Sequence, residues 1–279
     1  MRRVVAGLAA LVLAVLLTGC FILPAGEGEL AVYVLDVGQG DSIFIVLPNG
    51  ETLLIDAGER GSDKAVIAEI RALGVSTIDY ILATHPHSDH IGGLAKVLDA
   101  FEVGNVYMPK VSHNTATFEG VLDTIAAKGL SLRTAKAGVV LFDDGEVRAE
   151  LLAPIDDRYD NLNNYSAVLM LTYAQTSFLF MGDAEKQVEK QLLDSGVPLR
   201  ADVLKIGHHG SNTSSSKDFI DAVNPDIAVM SLGTGNSYGH PHRETLATLN
   251  ERSIEIWRTD QDGTVVFTSD GVFIYTQED

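Results

Sequence analysis

Between Ala83 and Gly93 the chain reads Ala-Thr-His-Pro-His-Ser-Asp-His-Ile-Gly-Gly, which places His85, His87, Asp89 and His90 within one short loop. At neutral pH an imidazole offers an unshared electron pair to a divalent ion, and a carboxylate adds charge and a second donor type. Donors packed this densely, directly after the apolar run Ile78 to Ala83, point to a metal centre rather than to hydrogen-bonded surface histidines. One or two divalent ions, zinc or manganese, suit such a donor set. Further donors follow downstream: Asp183 in Phe-Met-Gly-Asp, the adjacent pair His208 and His209, and His240 and His242 in Tyr238-Gly-His-Pro-His. Asp89 and Asp183 also precede expected helices, where a carboxylate serves as a cap. Their place beside the histidine cluster favours the ligand role. Spacing alone does not separate His208 from His209; His208 is preferred as ligand, with His209 facing substrate or packing against Gly210.

These donors need elements to hold them. Leu30 to Asp36, Ile43 to Leu47 and Thr52 to Ile55 are β-rich, with a turn at Pro48-Asn49-Gly50, and predict an antiparallel opening. Lys64 to Leu73 has helical apolar spacing, with Asp63 near its start. Ile91 to Phe101 and Phe118 to Lys128 read as helices separated by a strand at Val103 to Met108, and two strands flank the turn Asp143-Asp144-Gly145. The second half repeats this grammar. Strands are expected at Tyr165 to Leu171, Phe178 to Met181, Ala201 to Ile206, Ile227 to Ser231, Ile254 to Trp257, Val265 to Thr268 and Val272 to Tyr275. Helices are expected at Ala184 to Leu193, Ser216 to Val223 and Arg243 to Asn250. Two β-rich halves with interspersed helices suggest two sheets packed together under outer helices, as one continuous α+β domain.

Composition narrows the function. With 46% apolar and 21% charged residues the chain has an ordinary globular balance. A single cysteine excludes an internal disulfide framework and a cysteine-rich metal site. Thirty-eight acidic against 20 basic residues give a formal charge of −18, which disfavours bulk wrapping of nucleic acid. Met1 to Arg3 followed by the apolar run Val4 to Leu17 has the layout of a signal peptide. The run is short of the ~20 residues that span a bilayer.

The segment His85-Pro-His-Ser-Asp-His90 resembles the His-x-His-x-Asp-His motif of the metallo-β-lactamase superfamily. Asp56 in Ile-Asp-Ala-Gly, Asp183 and His208 resemble that family's later stations, in the same order, and the resemblance extends from Leu30 to Tyr275. Val37-Gly-Gln-Gly-Asp-Ser42, Asn163-Asn-Tyr-Ser166, Gly207-His-His-Gly-Ser211 and Tyr238-Gly-His-Pro-His242 are similar to the extracytoplasmic domain of bacterial competence DNA-uptake proteins and to stand-alone secreted hydrolases. The resemblance implies a four-layer αββα sandwich over residues 30–279. It implies one metal at His85, His87 and Asp183, and a second at Asp89, His90, Asp183 and His208. The family's middle histidine is missing: His113 lies too early, and Asn163-Asn164 occupies the region, so water or Asn164 would complete the first set. Asp56 would support the metal loop; Asp41 would orient a neighbouring loop or serve as a turn or cap residue, and Lys205 is read as an ordinary solvated or structural lysine, with contact to a substrate phosphate as the accessory alternative. His240 would contact the reacting phosphate or its leaving oxygen, or complete the sparse metal site, with Tyr238 as a hydroxyl donor; His242 is read as a loop-stabilising residue, with an accessory contact as the alternative.

The function implied is metal-dependent hydrolysis by metal-activated hydroxide. A phosphodiester, including short nucleic acid, is the preferred substrate of Asp89, Asp183, His240 and Tyr238. A thioester, lactam or lactone hydrolase and a cleavage-inactive metal-binding lipoprotein are the competing readings. Leu17-Thr-Gly-Cys20 resembles the bacterial lipobox, which implies removal of residues 1–19, a lipidated Cys20 with a linker to residue 29, and an anchor on the extracytoplasmic face of a membrane. Mass spectrometry of the mature protein is expected to show acyl mass on Cys20, and Cys20→Ser to release the protein from membranes. An intact N-terminus with unmodified Cys20 would reject this.

Overall fold

The computed structural model describes residues 28–276; the expected leader 1–19 and Cys20 lie outside the described residues. The chain opens with β1 (Leu30–Val34), β2 (Ile43–Val46), β3 (Thr52–Ile55), α1 (Asp63–Ala72) and β4 (Thr77–Leu82). There follow α2 (Ser88–Ile91), α3 (Leu94–Ala100), β5 (Glu102–Met108), α4 (Ala116–Ala127) and β6 (Leu132–Thr134). The next stretch comprises β7 (Val140–Asp143), β8 (Val147–Ala153), β9 (Val168–Tyr173), β10 (Thr176–Phe180), α5 (Lys186–Ser195) and β11 (Val203–Lys205). The chain then continues through α6 (Lys217–Val223), β12 (Ile227–Met230), α7 (Arg243–Asn250) and β13 (Glu255–Arg258). It finishes with α8 (Thr259–Asp262), β14 (Val265–Ser269) and β15 (Ile274–Thr276).

Two sheets result, ordered β15-β14-β1-β2-β3-β4-β5-β6 and β13-β12-β11-β10-β9-β8-β7. Three hydrophobic layers hold them, and β1 shows how. Leu30, Val32 and Val34 enter the core between the sheets, whereas Ala31 and Tyr33 face the layer under α1, α3 and α4. A strand covered on both faces reads as a continuous apolar run, which is why Leu-Ala-Val-Tyr-Val carries no polar alternation. On the far side Val188 and Leu192, one helical turn apart on α5, join Phe219 and Ile220 of α6 and Leu249 of α7 against the second sheet. The four-layer αββα arrangement expected from the sequence is the arrangement observed.

Some boundaries differ. The single helix expected over Ile91 to Phe101 is split into α2 and α3 at Gly92-Gly93, because the chain there is pressed against the loop behind Asp56. A Cβ on Gly92 would lie 2.3 Å from the Arg60 nitrogen, and one on Gly93 2.4 Å from the Ala57 oxygen. The edge strand β6, with all three side chains exposed, carries no apolar pattern and escaped the sequence reading.

Parallel pairing decides where the chemistry collects. β3, β4 and β5 run parallel, as do β10, β11 and β12. Their C-terminal ends release Asp56, the His85 loop, Asp183, the His208-His209 turn and Ser231. The loop after β1 closes over this edge at Gly40, where φ is +133° and a Cβ would lie 2.2 Å from the backbone oxygen of Asp89. Gly40→Ala therefore combines a dihedral cost of about 1–3 kcal/mol with overpacking of about the same size. Gly50 also has a positive φ but no atom within 4 Å of its would-be Cβ. Denaturant titration should show Gly40→Ala losing clearly more stability than Gly50→Ala; equal losses would contradict this packing.

Candidate metal centre

Asp56 is fully buried at the end of β3 and organises the metal loop. Its Oδ1 accepts from the Thr84 amide (2.8 Å) and its Oδ2 from the Thr84 hydroxyl (2.6 Å) and His90 Nδ1 (2.7 Å). Because Thr84 Oγ1 spends its proton on Asp56, it can only accept from His85 Nδ1, 3.1 Å away. That leaves Nε2 as the coordinating atom of both His85 and His90. His209 is set the same way: Nδ1 donates to the Ser231 carbonyl at 2.8 Å, leaving Nε2 free.

The free atoms converge. Asp89, His90, Asp183 and His209 form one group that could hold a metal ion, and His85, His87 and Asp183 form another. In the first, Asp183 Oδ1 lies 3.1 Å from His90 Nε2 and 3.4 Å from His209 Nε2, and Asp89 Oδ2 lies 3.4 Å from His209 Nε2. Ligand atoms about 2.1 Å from a tetrahedral ion stand about 3.4 Å apart, so the spacing fits. His90 Nε2, His209 Nε2 and Asp183 Oδ1 are buried and have no hydrogen-bond partner, an arrangement that costs free energy unless a cation satisfies it. In the second group His85 Nε2 and His87 Nδ1 are 3.0 Å apart, and Asp183 presents its other oxygen, Oδ2, 3.7 Å from His85 Nε2. Asp183 therefore faces both groups, one oxygen each.

Electrostatics report the same demand for positive charge. Burial opposes charge on His90, yet Asp183, Asp56 and Asp89 push its imidazole well above the ordinary range. Burial likewise opposes charge on His209, but Asp183 and Asp41 push it up to about 10. Burial and the neighbouring His90 hold His85 well below its usual value, keeping its electron pair available. Burial, then His209 and His208, lower His240 to about 4.

Two ligand expectations, for His208 and Asn164, are changed by the coordinates. His208 is not in the group with Asp89, His90 and Asp183; its Nε2 is 3.8 Å from Asp183 Oδ2 and its Nδ1 donates to Glu185 at 3.1 Å. His209 takes the inner place because both residues adopt left-handed backbone (φ 48° and 52°), turning the second imidazole inward. Asn164 points out of the cleft: its Oδ1 accepts from the Glu185 amide and its Nδ2 donates to Gln187. Lys205 is 1% exposed and its ammonium pairs with Asp41 at 2.6 Å. His242 accepts from the Asn212 amide at 2.9 Å and holds a loop. The backbone of Asp41 bridges Asp89 (3.1 Å) and Gly58 (2.8 Å).

The groups open into a cleft of about 350 Å³ walled by Gln39, Ser88, His113, Thr115, Asn163, Tyr238 and His240 among others. Tyr238 is 64% exposed and stacks on His240, with ring centres 5.6 Å apart. His113, set aside as a ligand from the sequence, stands in this wall with its ring 6.1 Å from that of His87. The available signal was its place just beyond β5, whose C-terminal end opens on the same edge as β4.

The family profile described as the metallo-beta-lactamase superfamily matches residues 35–234, and the chain belongs to that superfamily. ComE operon protein 3 of Bacillus subtilis (strain 168) is 33% identical over 264 residues, covering 88% of this chain and 34% of that protein. Competence protein ComA of Neisseria gonorrhoeae is 32% identical over 243 residues, covering 86% and 32%. The chain thus spans about a third of the length of these relatives. The crystal structure of CmlA, a diiron β-hydroxylase from Streptomyces venezuelae, superposes with a TM-score of 0.56 at 16% identity over 84% of this chain and 53% of that one, a likeness of fold. Superfamily membership and the converging donor groups together support a metal-dependent hydrolase.

The buried Lys205–Asp41 pair yields a direct test. Burial alone would raise the Asp41 carboxyl, but Lys205 and His209 hold it down at about 2. Lys205→Met removes the permanent cation from that buried carboxylate, leaving only imidazole contacts, and should cost about 3–5 kcal/mol in chemical denaturation. Adding Asp41→Asn should recover much of the loss; no recovery would refute the coupling.

Proposed function

We propose that this protein is a metal-dependent phosphodiesterase of the nuclease type, with zinc or manganese held by His85, His87 and Asp183 at one site and by Asp89, His90, Asp183 and His209 at the other. Bound there, a divalent ion supplies Lewis acidity, making water more acidic and offsetting negative charge on phosphoryl oxygens. The chain's own residues do the rest. Asp183 ties the two ligand groups together, and Asp56 fixes the orientation of His90. His240 presents an Nδ1 that is buried without a hydrogen-bond partner, braced by Asn236 contacts to its backbone N (3.0 Å) and O (2.7 Å). We assign its imidazole the hydrogen bond to a phosphoryl or leaving oxygen, with the Tyr238 ring stacked on it.

The observation that carries the phosphodiester reading is the wall of the cleft, which is made of hydroxyl, amide, imidazole and carboxylate side chains and contains no aliphatic residue among those described. Phosphoryl oxygens need many donors, whereas recognition of acyl substrates rests largely on apolar walls. A neighbouring groove of about 540 Å³ adds Lys110, Lys136 and Arg158, alongside Asp156 and Asp157. Among the described residues no carboxylate lies within ion-pair distance of those cations, and Tyr165 in the same groove is two residues from Asn163 of the cleft. In a chain of formal charge −18, local unpaired cations are what a polyanionic strand could engage. The description of a relative as a competence protein accords with a nucleic-acid strand as substrate. We extend the proposal to export and anchoring in a membrane through a lipidated Cys20, supported by the leader pattern alone.

Protein lacking residues 1–20, loaded with zinc or manganese, is expected to hydrolyse short DNA, RNA or simple phosphodiesters. Asp183→Asn and His85→Ala should each lower turnover by about 100-fold or more, and Asp56→Ala should weaken metal affinity by about 10–100-fold. Turnover confined to thioesters or lactams would transfer the assignment to those substrates.

A further inference from the structure

The His85–His87–Asp183 group has fewer protein donors than its neighbour, which raises the question of what completes it. On the cleft wall beside it stands Asn163, only 6% exposed. Its amide nitrogen donates to Glu185 Oε1 at 3.3 Å and lies 3.4 Å from both ring nitrogens of His208. Its carbonyl oxygen Oδ1 is buried and has no hydrogen-bond partner.

The orientation of this amide follows from chemistry. Glu185 already accepts from His208 Nδ1 and the Thr213 hydroxyl on Oε1 and from Asn161 on Oε2. A carboxylate has no proton to give, so only the NH₂ end of Asn163 can face it, and Oδ1 is turned the other way. The backbone is fixed as firmly. The turn Leu162–Tyr165 leads into Ser166, whose hydroxyl accepts from the Asp183 amide at 3.0 Å and lies 3.3 Å from His85 Nδ1. Ala167 N bonds Thr84 O at 2.9 Å. The segment bearing Asn163 is therefore stitched to the loops carrying His85 and Asp183. A buried amide oxygen left without a partner costs free energy, and a hard divalent ion accepts such an oxygen as a ligand.

We propose that Asn163, through Oδ1, fills the donor place left by the missing histidine at the His85–His87–Asp183 group, with Glu185 as the residue that orients it. The proposal rests on the metal-dependent reading above. An amide oxygen is a neutral, weak donor, so this site binds its ion more weakly than the site at Asp89, His90, Asp183 and His209, and favours manganese relative to zinc more than an all-imidazole set would.

Manganese alone tests this, added to the metal-free full chain and followed by calorimetry and by the electron paramagnetic resonance signal of free Mn²⁺. Two equivalents are expected, one weaker. Asn163→Ala should weaken the weaker one at least tenfold and leave the tighter one within twofold, which also reports that the variant is folded. Asn163→Asp separates the roles. As a ligand, the new carboxylate restores or tightens the weaker equivalent. If Asn163 only braces Glu185, the same change sets two carboxylates against each other and binds no better than Asn163→Ala. Loss of the weaker equivalent in His208→Ala but not in Asn163→Ala would overturn the proposal, as would a wild-type chain that takes a single equivalent. None of these outcomes depends on turnover, so failure here is distinguishable from failure to cleave a phosphodiester.

Discussion

Asp41, Asp56 and Asp183 are buried at one edge of the sandwich, with Asp89 partly covered beside them, and this concentration of negative charge constrains the surrounding structure. Ionised carboxylates removed from water must be matched by positive charge or by several donors. Each is answered differently. Asp41 has a permanent cation in Lys205. Asp56 is met by an amide, a hydroxyl and an imidazole of its own loop. Asp89 and Asp183 face imidazoles whose outer nitrogens are already committed, so what remains between them is a place that only a proton or a metal ion can fill.

The fold supplies this arrangement through parallel strand ends. Both sheets bring the ends of parallel strands to the same edge, and the residues just past β4, β10 and β11 carry the donors. The interlayer cores hold the two sheets in register, while the left-handed turns at Asp56, His208 and His209 re-aim side chains where a regular strand end would point them elsewhere. Such conformations cost about 1–3 kcal/mol each and persist because packed layers on both sides leave the loops little freedom.

Much of this was legible in the sequence because it is local or ordered. The cluster from His85 to His90 declares its chemistry in one loop, and the alternation of β-rich and helical stretches gives the four layers. What was not legible depends on backbone torsion and on contacts between distant segments. Which of His208 and His209 turns inward is set by φ angles that spacing does not encode. Whether Asn163 or Asn164 faces the cleft depends on a 3₁₀ turn whose side chains are claimed by Glu185 and Gln187, residues with no motif of their own. Lys205 reads as a cation near a histidine, and only the approach of the Asp41 loop from the other sheet converts it into a buried partner. Gly92-Gly93 reads as helix start until the loop at Ala57 to Arg60 is seen pressing on it.

The ligands divide unequally between near and far. His85, His87, Asp89 and His90 remain close together in an unfolded chain, whereas Asp183 and His209 reach them only after both sheets have formed. An unfolded chain therefore keeps a partial chelate, and ligand linkage stabilises the native state only by the difference between the two affinities. Chelator and denaturant then act on different quantities: the chelator withdraws what the whole sandwich binds, while the denaturant liberates a loop that still competes for the ion. For this protein the added stability from metal measures how well two distant strand ends are held against one loop, not how tightly the ion is held in total.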